Sequence, residues 1–184
     1  MDLRCIIGRM NKLNIMHRIL IHRLAMKNDM YFGQFPILEY VKRNNMCTQK
    51  DIADFLQISP PSIATSIKRM QKTGFLEKLC DENDLRCNRI TITQKGIESY
   101  ETCRNDFNAI DENLFKGFSE EERKTMYDYF GRMLENLSTD EFKDKTTFSL
   151  IAEEKLMHEQ IKKKALHSME ESKNDSSSVK NILR

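Results

Sequence analysis

Glycine and proline are scarce in this sequence, with six and three occurrences in 184 residues. Sandwiches, barrels and phosphate-binding loops depend on these residues in their turns, whereas a charged fraction of 32% suits helices. The five cysteines form no C-x-x-C pair, so the sequence indicates neither a disulfide framework nor a zinc ribbon. We therefore expect a mainly α-helical protein with reduced thiols.

Long apolar runs and enzyme motifs are absent as well. No stretch approaches the roughly 18 apolar residues of a membrane span, and the first residues lack the apolar stretch of a signal peptide. The sequence contains no H-E-x-x-H, G-x-S-x-G or phosphate loop, and its four histidines are not spaced as metal ligands. We expect a cytoplasmic protein that is not an enzyme and that uses no cofactor, metal or membrane.

Charge is distributed unevenly, although the formal net charge is only +2. Residues 1–96 carry 16 Lys and Arg against 9 Asp and Glu, residues 97–142 carry 5 against 12, and residues 143–184 carry 9 against 7. Phosphate neutralisation dominates nucleic-acid affinity. A basic half beside an acidic half is therefore typical of a nucleic-acid-binding module joined to a non-binding one, although a solvated helical surface can also be uneven.

Apolar spacing predicts six helices, with a hairpin after the fourth. The first helix has an apolar stripe long enough to face a second subunit in part. Several starts carry capping residues, such as the Thr48 and Asp51 pair and the Ser119 and Glu122 pair. The predicted starts are Leu3, Phe35, Thr48, Pro61 after a Ser59 cap, Thr93 and Ser119.

The fourth helix is predicted to end at Thr73, before Gly74 in a left-handed conformation. Two short strands, residues 75–80 and 87–92, then enclose a charged tip and form a two-stranded wing. After Ser138 the pattern weakens, with helix expected over 148–170 and disorder from Ser172. The predicted divisions are a dimerisation helix (1–30), a winged helix-turn-helix domain (33–96), C-terminal dimerisation helices (97–138) and a charged tail (139–184).

The order helix, turn, helix, hairpin is that of a winged helix-turn-helix domain on a helical dimerisation domain. Ile63, Ile67 and Met70 share one arc of the fourth helix and should face the core, which leaves hydroxyls and cations outside. Short hydrogen-bonding side chains suit base edges, and cations suit phosphates. The predicted DNA contacts are Pro61, Ser62, Thr65, Ser66, Lys68, Arg69 and Lys72 on this helix, with Asp84, Arg86 and Arg89 on the wing.

Two plainer interpretations stand beside this one. The fourth helix could be an ordinary amphipathic surface helix, and the hairpin could be charged only for solubility. An arginine on a protruding hairpin can enter a minor groove, however, and Asp84 can hold the Arg86 guanidinium in place. We therefore favour binding to double-stranded DNA.

Several short motifs, in order, resemble the MarR family of winged-helix regulators. They are residues 33–38, Thr48-Gln49, Ala53 and Leu56 before Ser59, residues 72–76, Asp84-Leu85-Arg86, and residues 92–96. The resemblance implies a homodimeric transcriptional regulator, usually a repressor, on a pseudo-palindromic operator. It also implies that Arg86 is the wing-tip arginine and that Asp84 orients it.

The resemblance further implies release by a small-molecule effector or an oxidative signal. The family's ligand cleft lies where the first, second and fifth helices meet, and Phe32, Phe35 and Tyr100 could supply its walls, although such residues are more often core. Cys5, or Cys80 facing Cys87 across the hairpin, are alternatives for thiol sensing. The alternative function is a winged-helix protein-protein interaction module with a partner-docking tail.

Overall fold

A computed structural model gives the fold of this chain. It describes residues 2–80 and 88–182, with all their side chains except that of Phe32 and those of residues 166–182. The six predicted helices and the predicted hairpin are present in the predicted order, and a short 3-10 helix (Phe32–Gln34) precedes the second helix. The elements are α1 (Leu3–Lys27), α2 (Phe35–Arg43), α3 (Gln49–Leu56), α4 (Pro60–Lys72), β1 (Leu76–Cys80), β2 (Asn88–Ile92), α5 (Gln94–Leu114), α6 (Glu120–Leu137) and α7 (Thr147–Ile182).

Reciprocal side-chain caps fix the starts of α3 and α6, as the sequence predicts. Thr48 Oγ1 accepts a hydrogen bond from the Asp51 amide at 3.1 Å, and the Thr48 amide donates to the Asp51 carboxylate at 2.8 Å. The same pair of bonds joins Ser119 and Glu122 at the start of α6. Each bond satisfies a backbone amide that the helix itself leaves unpaired.

The start of α4 differs from the prediction. The helix begins at Pro60 rather than Pro61, and the Ser59 side chain caps no backbone amide. Its hydroxyl donates to Ser62 Oγ at 2.9 Å instead. Two prolines in the first turn have no amides to satisfy, so a side-chain cap is needed less here. The Ser59 carbonyl instead accepts from the amides of Ser62 and Ile63, at 3.0 and 3.1 Å.

The hydrophobic core fixes α4 against α3. Ile63, Ile67 and Met70 are at most 2% exposed, which confirms the predicted inner arc of α4. Ile52 and Leu56 of α3 are fully buried in the same cluster, as are Leu38 and Val41 of α2. Interiors of this kind are close-packed, so the inner arc of α4 stays buried and its outer face points away from the core.

The hairpin is joined tightly to the helices on both sides of it. β1 and β2 are antiparallel, with Leu76 opposite Ile92 and Cys80 opposite Asn88. Gly74 precedes β1 with φ 75°, the left-handed conformation predicted for it. Gly96, in the first turn of α5, has its Cα packed so closely that a Cβ would lie 2.2 Å from the Phe75 carbonyl oxygen.

The C-terminal tail is more helical than the sequence predicts. Residues 172–182, for which the sequence indicates disorder, continue α7 as far as Ile182. Neither glycine nor proline occurs between Thr147 and Ile182, so nothing in the backbone interrupts a helix once it has started. The division of the chain at residues 30, 96 and 138 stays a prediction.

Candidate nucleic-acid interface

The outer face of α4 presents the polar residues that the sequence predicts for DNA contact. Of the seven α4 residues that the sequence predicts as DNA contacts, six have exposed side chains and Ser66 is half-buried. No Asp or Glu occurs anywhere in α4. The exposed six are Pro61, Ser62, Thr65, Lys68, Arg69 and Lys72.

The two exposed hydroxyls are oriented differently. Ser62 Oγ accepts the hydrogen bond from Ser59, which leaves its own hydrogen to donate. Thr65 Oγ1 donates to the Pro61 carbonyl at 2.9 Å, so toward solvent it offers only lone pairs. Ser62 therefore suits a purine acceptor such as N7 or O6, and Thr65 suits the amino group of adenine or cytosine.

Three cations follow these hydroxyls along α4. Lys68, Arg69 and Lys72 form no ion pair with any carboxylate in the described residues. Cations in this state are available to neutralise phosphates, and an arginine can also bind guanine in a bidentate fashion. The face therefore combines positive charge with directional hydrogen bonding.

Arg89 is placed differently from the cations of α4. It lies on β2 opposite Leu79, and its side chain is half-buried. The pKa of Asp51 is lowered chiefly by the hydrogen bond from the Thr48 amide, then by the Thr48 hydroxyl, and further by the Arg89 charge. Part of the Arg89 charge therefore acts on the start of α3.

The wing tip carries the other predicted DNA contacts. Asp84, Arg86 and Cys87 belong to residues 81–87, which lie outside the described residues. The strands that lead to the tip end at Cys80 and Asn88, and both of these residues are exposed. The DNA contacts of Asp84 and Arg86 stay predictions.

The walls predicted for an effector cleft pack against one another. Phe35 stacks on Tyr100 with 5.0 Å between ring centroids and meets Phe107 edge-on at 4.9 Å. Arg104 donates to the Tyr100 hydroxyl at 2.6 Å. These aromatic rings fill the junction of α2 and α5 as core. The side chain of Phe32 is not among those described.

A separate cavity of about 540 Å³ lies between α1, α5 and α6. Its lining is largely apolar, with Leu13, Phe115 and Phe130 among its residues. At its polar side His17 Nε2 and the Asp111 carboxylate are 2.9 Å apart. Such a cavity has the size and the mixed lining of small-molecule sites.

The thiols in the described residues do not pair. Cys47 and Cys103 are buried, and burial raises the pKa of both, to about 11 for Cys47, so neither is a reactive thiolate at neutral pH. Cys5 and Cys80 are exposed, and the strand neighbour of Cys80 is Asn88. Thiol sensing through these residues stays a hypothesis.

Neither a membrane span nor a metal centre is found in the described part of the chain. No helix there is both long and apolar enough to cross a membrane. Within the same residues, no three His, Cys, Asp or Glu side chains stand close enough together to hold a metal ion.

Comparison with known proteins shows which family this chain resembles. The model of the family described as MarR matches residues 32–88, which run from the 3-10 helix before α2 to the start of β2. This winged helix-turn-helix part of the chain is similar to the MarR family. The resemblance that the sequence motifs indicate is thereby confirmed.

Relatives and solved structures agree with the MarR match. The HTH-type transcriptional regulator YybA of Bacillus subtilis (strain 168) is 27% identical over 112 residues, which are 61% of this chain and 75% of that protein. The regulator BilQ of Clostridioides difficile (strain CD3) is 28% identical over 99 residues, or 54% and 64%. The S. aureus MepR-DNA complex has the same fold, with a TM-score of 0.55 at 23% identity over 72% of this chain and 94% of that one. The predicted function, a DNA-binding transcriptional regulator, is confirmed.

Sequence reasoning missed one feature beside this candidate interface. Gln57, in the turn between α3 and α4, is hydrogen-bonded to residues 144–149 of the tail. The partners are 87 to 92 positions apart in sequence. No local pattern predicts such a contact, because capping and periodicity act only between residues close in sequence.

Proposed function

We propose that this MarR-like regulator binds a pseudo-palindromic operator as a homodimer and represses transcription, with α4 of each copy in a major groove. The outer face of α4 carries the proposal, because it joins exposed hydroxyls to unpaired cations without a single carboxylate. The likeness of the fold to MepR, which was solved with DNA, supports it. The protein acts in the cytoplasm, by binding rather than by catalysis.

The homodimer is supported by α6. This helix of 18 residues buries no side chain within its own chain, yet it carries large apolar residues. α1 likewise exposes Ile15 and Ile19, at 59% and 44%. Exposed apolar surface on two long helices is typical of an interface, and a two-fold dimer would place two copies of α4 on successive grooves.

Arg69→Ala and Arg86→Ala should weaken DNA binding in different ways. Loss of a base-reading arginine lowers affinity for the operator by about 1–3 kcal/mol and relaxes specificity, whereas loss of a backbone contact weakens all sequences alike. We expect the first pattern for Arg69 and the second for Arg86. Titration of promoter and random duplexes across a salt series measures both.

Lys116→Ala, an exposed cation between α5 and α6, serves as the control and should leave binding unchanged. If the unsubstituted protein shows no salt-dependent binding to DNA from its own upstream region, the proposed function is wrong. Retained binding of a protein partner by the same preparation would then favour the interaction-module alternative.

Effector control is the second part of the proposal. The cavity between α1, α5 and α6 opens on the two helices that would form the dimer, so a molecule held there can alter the spacing of the two copies. A compound that releases the operator through this cavity should lose its effect in Asp111→Ala, while DNA binding without the compound is retained. Equal release from both proteins would place the effector elsewhere.

A further inference from the structure

The turn between α3 and α4 contains a residue in an unfavourable backbone conformation. Gln57 follows α3 with φ 53° and ψ 43°, the left-handed region. Glycine, or sometimes asparagine, is the usual residue there, because a larger side chain is crowded by its own backbone. Residues in such conformations persist when surrounding contacts hold them, and they are often found at functional sites. The backbone of this turn is closed by the Ile58 amide, which donates to the Ala53 carbonyl at 3.1 Å.

The side chain of Gln57, in contrast to the backbone of the turn, is held by the tail. The Gln57 Nε2 donates to the Asp144 carbonyl at 2.8 Å, and its Oε1 accepts from the Thr146 amide at 2.8 Å. Its Oε1 also accepts from Ser149 Oγ at 3.1 Å, which shares its hydrogen with the Thr146 carbonyl at 2.9 Å. Thr146 Oγ1 also donates to the Leu56 carbonyl at 3.1 Å, at the last residue of α3. Four hydrogen bonds therefore fasten the start of α7 to the end of α3.

The tail segment is itself well fixed where it meets the turn. Phe148 packs against the hydrophobic core, and Lys145 donates to Glu153 at 2.5 Å. Thr146 Oγ1 accepts from the Ser149 amide at 3.1 Å and so caps α7. A rigid element, not a loose strand of chain, is therefore attached to the turn.

We propose that residues 144–149 form a brace that sets the angle between α3 and α4, and that Gln57 is the positioning residue through which the brace acts. Only Gln57, Ile58 and Ser59 join the two helices, so their conformation determines how α4 is presented. Recognition groups must be held to within about 0.5 Å of their productive positions. The inference rests on the proposed function, because the angle of α4 matters only if α4 reads DNA.

Gln57→Gly separates this role from ordinary folding. Glycine adopts the left-handed conformation freely but removes every side-chain bond to the brace. In the full-length protein we expect the preference for operator over random duplex to fall about tenfold, the equivalent of one or two hydrogen bonds. The salt dependence of binding should be unchanged, because Gln57 carries no charge. The urea midpoint should stay close to that of the unsubstituted protein.

Two further variants test the contact itself. Gln57→Asn suits the same backbone and keeps the carboxamide, but it is one methylene too short to reach the brace, so it should behave as Gln57→Gly. Ser149→Ala should lose part of the preference alone and nothing more when combined with Gln57→Gly, since coupled partners are not additive.

Three results would overturn the inference. The first is an unchanged preference for operator DNA in Gln57→Gly. The second is tighter binding of the operator by that variant, which would mean that the tail opposes DNA binding. The third is a weaker salt dependence of DNA binding while the preference for operator over random duplex is retained. This result would mean that the tail contacts phosphates. Failure of the unsubstituted protein to bind DNA would instead overturn the proposed function, so the two failures are distinguishable.

Discussion

Leu134→Glu is expected to leave the protein monomeric and to weaken operator binding by about 100-fold or more, because an unpaired charge in a buried contact costs about 3–5 kcal/mol. A monomer also holds only one half-site, so it loses the contribution of the second α4. The fold of each copy should survive, because Leu134 is 69% exposed in the isolated chain.

The position of Leu134 on α6 explains the size of this effect. It belongs to an apolar face whose members recur at helical spacing and are each at least 40% exposed in the isolated chain. Apolar patches of this kind on one chain mark association sites. Besides Leu134, the exposed members of this face are Tyr127, Phe130, Met133 and Leu137.

Asn136→Glu is the matched control for Leu134→Glu. It adds the same charge to the same helix at an exposed position away from the apolar face. Sedimentation velocity should show a dimer for this control and a monomer for Leu134→Glu, with duplex titrations on the same samples. A dimer with full operator affinity in Leu134→Glu would contradict the proposed interface on α6.

Local chemistry explains why so much of the interface could be predicted from the sequence. The Thr48 cap, the inner arc of Ile63, Ile67 and Met70, and the left-handed Gly74 each depend on residues within one or two helical turns. Periodicity and capping act over that distance. The polar residues of α4 do not belong to this inner arc, so they must lie on its outer face.

Contacts between distant segments could not be predicted in the same way. The bonds from Gln57 to the tail join two elements whose sequences show no sign of one another. The sequence allows Phe35 to be either a wall of an effector cleft or core, and its stacking on Tyr100 places it against the core. Ser59 looked like a helix cap, and only the geometry of the turn shows its hydroxyl donating to Ser62 instead. Tertiary packing decided the cases of Gln57 and Phe35, whereas the local geometry of the first turn of α4 decided that of Ser59.

Gly96→Ala is expected to destabilise the fold by about 3 kcal/mol, the upper range for forcing extra volume into a packed site. An ideal Cβ on Gly96 would lie 2.2 Å from the Phe75 carbonyl oxygen and 2.8 Å from Ile92 Cγ1. The nearer obstacle is backbone, so no change of side-chain rotamer can relieve the contact. α5 must move away from the base of the wing.

Such a movement breaks bonds that join the wing to α5. The Thr93 hydroxyl donates to the Gly74 carbonyl at 2.6 Å, the Thr93 amide donates to Phe75 O at 3.1 Å, and Lys95 Nζ donates to the Thr73 carbonyl at 2.7 Å. The end of α4 is therefore tied to the start of α5 through these residues. We expect the fraction of Gly96→Ala protein that remains folded to bind DNA less tightly as well.

Gly8→Ala is the matched control for Gly96→Ala, because the two variants are expected to change the free energy of unfolding in opposite directions. Gly8 also lies within a helix, α1, but a Cβ there would meet nothing within 4 Å. Helix propensity alone favours alanine over glycine by about 1 kcal/mol. Urea unfolding should therefore show Gly8→Ala slightly stabilised and Gly96→Ala strongly destabilised, although the chemical change is identical. Stabilisation of both would contradict the close approach of α5 to the wing, because only that approach reverses the sign at Gly96.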